Sequence, residues 1–233
     1  MEPPPIGPEP GLPREERVLL GWLARLFGSG LALYVRLVAR TVRVSGPPVS
    51  QDQVVFAIWH ESNLVAAVGA YRLRPGHVHV SFSTRRFRGI VMNTMLHGLG
   101  WGAVTLPEPG KQTSAEATSV SRAMARVGQE GKSLVASCDG PDGPYRVAKP
   151  GVLIVARESG LPVLPWAVAA RPAVRLTGRW DRQLVPLPFS RLRVYEGSQF
   201  RIGPRERIKP VLADLQVELT RIAQLADHRM SAD

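Results

Sequence analysis

The chain predicts an α/β fold, a mixed, mostly parallel sheet flanked by helices, with an N-terminal amphipathic helix in front of it. Three observations carry this expectation. Short β-type apolar runs alternate with helix-period segments after residue 46. The length, 233 residues, suits one domain with an appendage and allows a sizeable core. An apolar segment flanked by arginines precedes the alternation.

Residues 1–17 read as a disordered leader, because the Pro-rich acidic stretch MEPPPIGPEPGLPREE disfavours a helix and lacks the pattern of a signal peptide. Residues 18–45 predict a membrane-associated helix. Leu19, Trp22, Leu23, Leu26, Phe27, Leu33 and Leu37 share much of one helical surface with arginines at its flanks, the arrangement of an interfacial anchor. The alternative is an amphipathic helix packed on its own domain. The longest charge-free run, Leu26 to Val35, is about half of the ~20 residues a bilayer span needs, so the segment is expected to lie on a membrane. Gly28, Ser29 and Gly30 predict a break within it.

Residues 46–230 predict the α/β domain. Strands are expected over 54–59, 77–83, 102–106, 133–137 and 162–170, with helices near 62–73, 86–98, 113–129 and 150–159. Residues 171–203, broken by Pro and Arg, predict strands and loops that complete the sheet. A last helix is expected over roughly 205–228, where Leu212, Leu215, Leu219, Ile222 and Leu225 form a core stripe.

Lys and Arg outnumber Asp and Glu by 30 to 19, a formal charge of +11, which favours an anionic partner: a phospholipid surface, a phosphorylated substrate or nucleic acid. Nucleic acid is the weakest of these, since no basic stretch is interleaved with surface aromatics. The chain has no Gly-x-Ser-x-Gly elbow, no Walker A loop and no cysteine pair for zinc. The single cysteine, Cys138, excludes an intramolecular disulfide and reads as a small core residue. His77 and His79 sit two apart on one strand face, a possible metal pair that lacks a third ligand, so no metal is expected.

Two stretches carry chemistry. His60, in AIWHES, stands where a strand gives way to a helix. A helix N-terminus favours the neutral ring that a general base needs, while the plainer alternative is a partly buried histidine satisfied by the backbone. SCDGPDGPYRVAKPG, residues 137–151, is a tight turn system at another strand end, with Arg146 and Lys149 placed to meet an anion.

AIWHES, SCDGPDGPYRVAKPGVLIVARESGLPVLPWAV and RWDRQLVPLPFSRLRVYEG together resemble the lysophospholipid acyltransferase superfamily. The likeness is greatest to a bacterial branch of short proteins formerly grouped as a domain of unknown function, and it covers roughly residues 18–203. The resemblance implies a glycerol-3-phosphate-acyltransferase-like fold and acyl transfer from acyl-CoA or acyl carrier protein, used as co-substrate with no other cofactor. The implied acceptor is a hydroxyl or amine of a lysophospholipid-like molecule at the cytoplasmic face of the inner membrane. His60 then matches the general base.

Two departures stand out. The superfamily's His-x-x-x-x-Asp would put an Asp at position 65, which is Val65 here. Asp139 or Glu61 is the substitute orienter, and Asp139 is preferred because adjacent side chains seldom face each other. The branch's Arg-Gly-Ser-Ser segment is also missing, with Lys111, Thr113 and Ser114 as nearest equivalents. Substrate contacts are expected from Glu61, Arg85, Lys111, Gly140, Pro141, Gly143, Arg146 and Lys149, with backbone N–H groups of Gly140 or Gly143 facing an oxyanion. The rival function is a noncatalytic membrane-surface or lipid-binding protein that keeps the fold.

Overall fold

The computed structural model describes residues 13–83, 87–105, 114–140 and 142–232. Seven strands form one sheet in the order β1-β7-β6-β2-β5-β3-β4. They are β1 (Arg43–Ser45), β2 (Val55–Ile58), β3 (His79–Ser83), β4 (Gly102–Thr105), β5 (Ser133–Ser137), β6 (Val163–Arg175) and β7 (Leu184–Glu196). β2, β3, β4, β5 and β6 run parallel; β7 is antiparallel to β6, and β1 is parallel to β7. The sheet is therefore mixed and mostly parallel.

Strand β2 is buried at all four positions, as a central strand covered on both faces must be. Phe56 and Ile58 point to the layer formed by α1 (Arg14–Thr41), α2 (Asn63–Leu73) and α3 (Phe87–Gly98). Val55 and Ala57 point to α4 (Ser114–Gln129), α5 (Gly151–Ser159) and α6 (Ile208–Ala232). The leucine stripe of α6 behaves as expected, with Leu215 and Leu219 fully buried in the second layer.

Four features differ from the sequence reading. The first helix is continuous from Arg14, so residues 14–17 of the expected leader are helical, while residues 1–12 lie outside the described residues. Gly28 does not break it. A Cβ there would come within 2.6 Å of Thr94 Cβ and of the Val91 carbonyl, and one on Gly98 would come within 2.6 Å of Ala32 Cβ. The glycines allow α1 and α3 to touch along their backbones, and this packing outweighs the helix-propensity loss of about 1 kcal/mol. Arg43–Ser45, expected within the helix, form β1; three exposed residues carry no alternation, and only pairing with β7 defines them. β6 runs five residues past the expected 170, because its far half pairs with β7.

The buried face of α1 includes Ala24, Ala32, Val35, Val38 and Ala39, whereas Trp22, Leu26, Phe27, Leu33 and Leu37 are exposed. Among the described residues, Glu15–Thr41 is the one helix long and apolar enough to cross a membrane. Its inner face nevertheless belongs to the domain core.

At the opposite end of the sheet from the β2 C-terminus, Arg74 is buried and caps loop carbonyls of Ser50 (2.8 Å) and Asp52 (2.7 Å) while lying over the Phe56 ring. His79 is buried between Phe56 and Trp101, and neither ring nitrogen has a hydrogen-bond partner. His77 instead lies 3.2 Å from an Arg74 nitrogen, and no group of three metal-ligating side chains occurs among the described residues.

Burial, then Arg74, then His77, push the His79 imidazole down to about 3 from its ordinary 6.5. The ring must be neutral in the folded protein, so its contribution is complete above pH 6.5 and is lost as pH falls from there toward 3. Within that window the expected slope approaches 1.4 kcal/mol per pH unit, about the value of one proton. Denaturant titrations at pH 7, 5.5 and 4 should show wild type losing stability more steeply than His79→Phe; equal slopes would remove His79 as the cause.

Candidate active site

The site follows from strand register. Strand β2 pairs with β5 so that Ile58 faces Ser137. The next two positions on each chain bring His60 opposite Asp139. The helices that follow these adjacent strands, α2 and α5, leave on opposite faces of the sheet. That divergence lies at the strand C-termini, the general place for a ligand crevice in open α/β sheets.

His60 opens a 3-10 turn, His60–Ser62, ahead of α2. Its backbone N–H donates to Asp139 Oδ1 (3.0 Å), and its Nδ1 lies 3.2 Å from the same oxygen. A carboxylate oxygen can only accept, so the ring proton sits on Nδ1 and leaves the Nε2 lone pair available. Asp139 is fully buried, while the His60 side chain is 22% exposed. Ser137 Oγ donates to Asn63 Oδ1 (2.7 Å), joining the β5 end to the start of α2. Val65 is wholly buried in the core behind this turn. The carboxylate beside His60 thus comes from the turn after the neighbouring strand, not from the helix.

Glu61 has a different place. Its side chain is 4% exposed and accepts from Tyr145 Oη (2.6 Å), Arg146 Nε (2.7 Å) and an Arg175 guanidinium nitrogen (2.6 Å), while Gln183 Nε2 donates to its carbonyl (2.8 Å). Burial and the Glu61 carboxylate push the Tyr145 phenol up to about 12, so it remains a donor. Arg146 also pairs with Asp227 of α6 (3.0 Å). Its charge is taken up by two carboxylates, which corrects the expectation of a guanidinium open to an anion. Lys149 lays its chain across Gly140, where a Cβ would meet Lys149 Cδ at 3.0 Å and Nζ at 3.1 Å, bringing an ammonium beside the Asp139 turn. The Gly140 N–H is donated to the Ser137 carbonyl (3.2 Å), so it is engaged within the turn and not aimed outward at an oxyanion. Gly140 and Gly143 have φ of +69° and +72°, values that favour glycine, and a Cβ on Gly143 would meet the Trp180 ring at 2.8 Å.

Arg85, Lys111, Thr113 and Pro141 lie outside the described residues. Cys138 is fully buried, and burial together with the adjacent Asp139 charge pushes its thiol upward, the opposite of an activated nucleophile.

Sequence reasoning missed the wall formed by the β6–β7 hairpin. The Trp180 ring lies 5.3 Å from the His60 ring, Arg182 sits over Tyr145, and Gln183 reaches Glu61. Asp181 is buried and held by Arg179 through two bonds (2.9 and 2.8 Å). Burial works against its charge, but Arg179, a backbone bond from Gln183 and nearby His60 keep its carboxyl below the usual range. The string RWDRQ has no periodicity, so only its place in the resemblance marked it.

The fold is acyltransferase-like. The crystal structure of the 1-acyl-sn-glycerophosphate (LPA) acyltransferase PlsC from Thermotoga maritima is similar to this chain with a TM-score of 0.50 and 15% sequence identity, over 92% of this chain and 84% of that one. At this identity the likeness establishes the fold. An uncharacterized protein of Rickettsia prowazekii (strain Madrid E) is 22% identical over 151 residues, 64% of this chain; the match spans 65% of that relative, just under two thirds of its length. No family model matches the chain.

Glu61→Gln removes the charge that Arg146 and Arg175 share inside the protein. Breaking a buried pair costs about 3 kcal/mol, so the expected loss in Tm is roughly 6–12 °C by calorimetry, against no more than about 2 °C for Glu158→Gln on the exposed surface of α5. Equal Tm values would show that Glu61 holds nothing together.

Proposed function

We propose that the protein is an acyltransferase that moves a fatty acyl group from a thioester, acyl-CoA or acyl carrier protein, to a hydroxyl or amine of a lysophospholipid-like acceptor. The observation that carries this reading is the His60–Asp139 pair at the diverging strand ends of an acyltransferase-like sheet. It is supported by the sequence resemblance to the short bacterial branch of the lysophospholipid acyltransferases.

In this reading His60 Nε2 takes the acceptor proton as the acceptor oxygen or nitrogen attacks the thioester carbonyl. The tetrahedral intermediate collapses with loss of the thiolate, which receives that proton from the imidazolium. No covalent enzyme intermediate forms. A positioned base contributes about 10²- to 10⁴-fold, and alignment of the two substrates supplies much of the rest. Asp139 fixes the Nδ1–H tautomer and steadies the imidazolium. Lys149 is the cation placed to meet donor or acceptor phosphate, and Arg85 and Lys111 are proposed to join it. Glu61 and Arg146 hold the 139–149 loop in place.

The acceptor is proposed to reach the site from the cytoplasmic face of the membrane. The exposed apolar side of α1 supports an in-plane attachment, since its other side is built into the core.

The deciding experiment incubates purified protein with isotope-labelled acyl-CoA or acyl carrier protein and a polar-lipid extract, followed by mass spectrometry. Wild type should label one lipid class, His60→Ala should abolish labelling, and Asp139→Asn should slow it about 10²-fold with an unchanged circular dichroism spectrum. Folded wild type that labels nothing with either donor would shift the reading to a lipid-binding protein without turnover; wild-type rates in Asp139→Asn would remove Asp139 from the mechanism.

A further inference from the structure

Between the pairs Arg171↔Arg191 and Ala173↔Pro186, β6 advances two residues while β7 advances five, so three extra residues of β7 bulge from the ladder. Bulges re-aim side chains and commonly lie next to functional sites. This one turns out Phe189, which is 71% exposed; no large apolar side chain among the described residues is more exposed. Phe189 also has φ +64°, a left-handed conformation that a bulky L-residue adopts only at a conformational cost. An aromatic held outward in such a backbone serves the fold poorly, which points to a partner.

The bulge is tied to α1 at two points. Tyr34 Oη donates to the Pro186 carbonyl, and the Phe189 N–H donates to Thr41 Oγ1 (3.0 Å). Tyr34 and Thr41 bracket Leu37 at three and four residues, so all three lie along one side of the helix. Exposed Leu37 therefore adjoins the bulge, and the apolar strip of α1 that includes Trp22, Leu26 and Leu33 continues into Phe189 and Leu187. Arginines border this end: Arg36, Arg40, Arg43 and Arg191 are exposed, and Arg43 and Arg191 face each other in the parallel β1–β7 register. A contiguous apolar strip edged by cations is complementary to an anionic headgroup layer over acyl chains.

The bulge also lies at the active-site end of the molecule. β2 stops at Ile58, with Ala57 level with Pro165, and β6 continues ten residues further to Arg175, past the level of His60.

We propose that the Phe189 bulge is a second membrane contact, which together with the exposed side of α1 seats the His60 end of the protein on an anionic phospholipid surface. The inference rests on the membrane-surface part of the function proposed above and not on acyl transfer. Phe189 enters the acyl boundary, the arginines meet headgroup phosphates, and the two contacts fix which way the crevice faces.

The test is co-flotation of the full chain with vesicles of phosphatidylcholine alone or mixed equally with phosphatidylglycerol, with Tm measured alongside. Wild type should float with the mixed vesicles, and Phe189→Gly should lose about tenfold in partitioning. Its Tm should hold or rise, because glycine adopts this backbone freely. Phe189→Asn, which also tolerates the left-handed region, should behave the same, and Phe189→Trp should bind as wild type. Undiminished binding by both Gly and Asn variants, with wild type bound, would overturn this inference alone. Absence of wild-type binding would overturn the membrane reading with it. A wild-type dimer in light scattering that Phe189→Gly converts to monomer, with vesicle binding unaltered, would assign the face to a second copy and also overturn the proposal.

Discussion

The parallel pairing of β2 with β5 is the constraint on which the rest of the site depends. Once Ile58 is level with Ser137, the backbone fixes the separation of His60 and Asp139, and a slip of one residue would turn the slipped strand's side chains to the opposite face. The fully apolar composition of β2 and the burial of Val55, Phe56, Ala57 and Ile58 on alternate faces hold that register. The pair is thus set by strands, which are stiffer supports than loops. The loop from Gly140 to Lys149 has no such ladder and is secured by side chains instead. Glu61, adjacent to His60 in the chain, faces the other way and gathers Tyr145, Arg146 and Arg175 around one buried carboxylate. Neighbouring residues thereby take opposite places, His60 partly exposed beside Asp139 and Glu61 buried beneath the loop.

This arrangement also locates the positive charge. Arg74 lies inside the domain among loop carbonyls, and Arg146, Arg175 and Arg179 are committed to carboxylates. A formal +11 is therefore not spread evenly over the surface. Arg36, Arg40, Arg43 and Arg191 are instead exposed, beside the apolar side of α1.

Much of the fold was legible because its signals are local. The continuous apolar runs of β2 and β5 and the helical spacing of α6 appear in the sequence as they do in the structure. His60 and Asp139 were legible as residues at strand ends, and Asp139 Oδ1 lies 3.2 Å from His60 Nδ1 while Glu61 is turned to Tyr145, Arg146 and Arg175. What escaped depends on pairing at long range. β1 is three exposed residues whose only strand character is their alignment with β7. Gly28 looked like a helix breaker because the helix that needs its missing side chain is α3, more than sixty residues onward. Arg146 looked available because its partners Glu61 and Asp227 come from distant segments. Trp180 and Asp181 sit in an aperiodic hairpin, and no rule of spacing predicts that it folds back over His60.

The contacts that bind α1 to β7 span 148 and 152 residues of chain, from Thr41 to Phe189 and from Tyr34 to Pro186. At a synthesis rate of about 5–20 residues per second, that separation lasts roughly 7–30 seconds on the ribosome. Throughout it the helix is finished and its last protein partner does not yet exist. Until β7 emerges, the side of α1 that will meet it has only α2 and α3 of its eventual neighbours in place. The order in which the polypeptide emerges thus lets α1 pack first on α2 and α3, and the far edge of the sheet closes against it last.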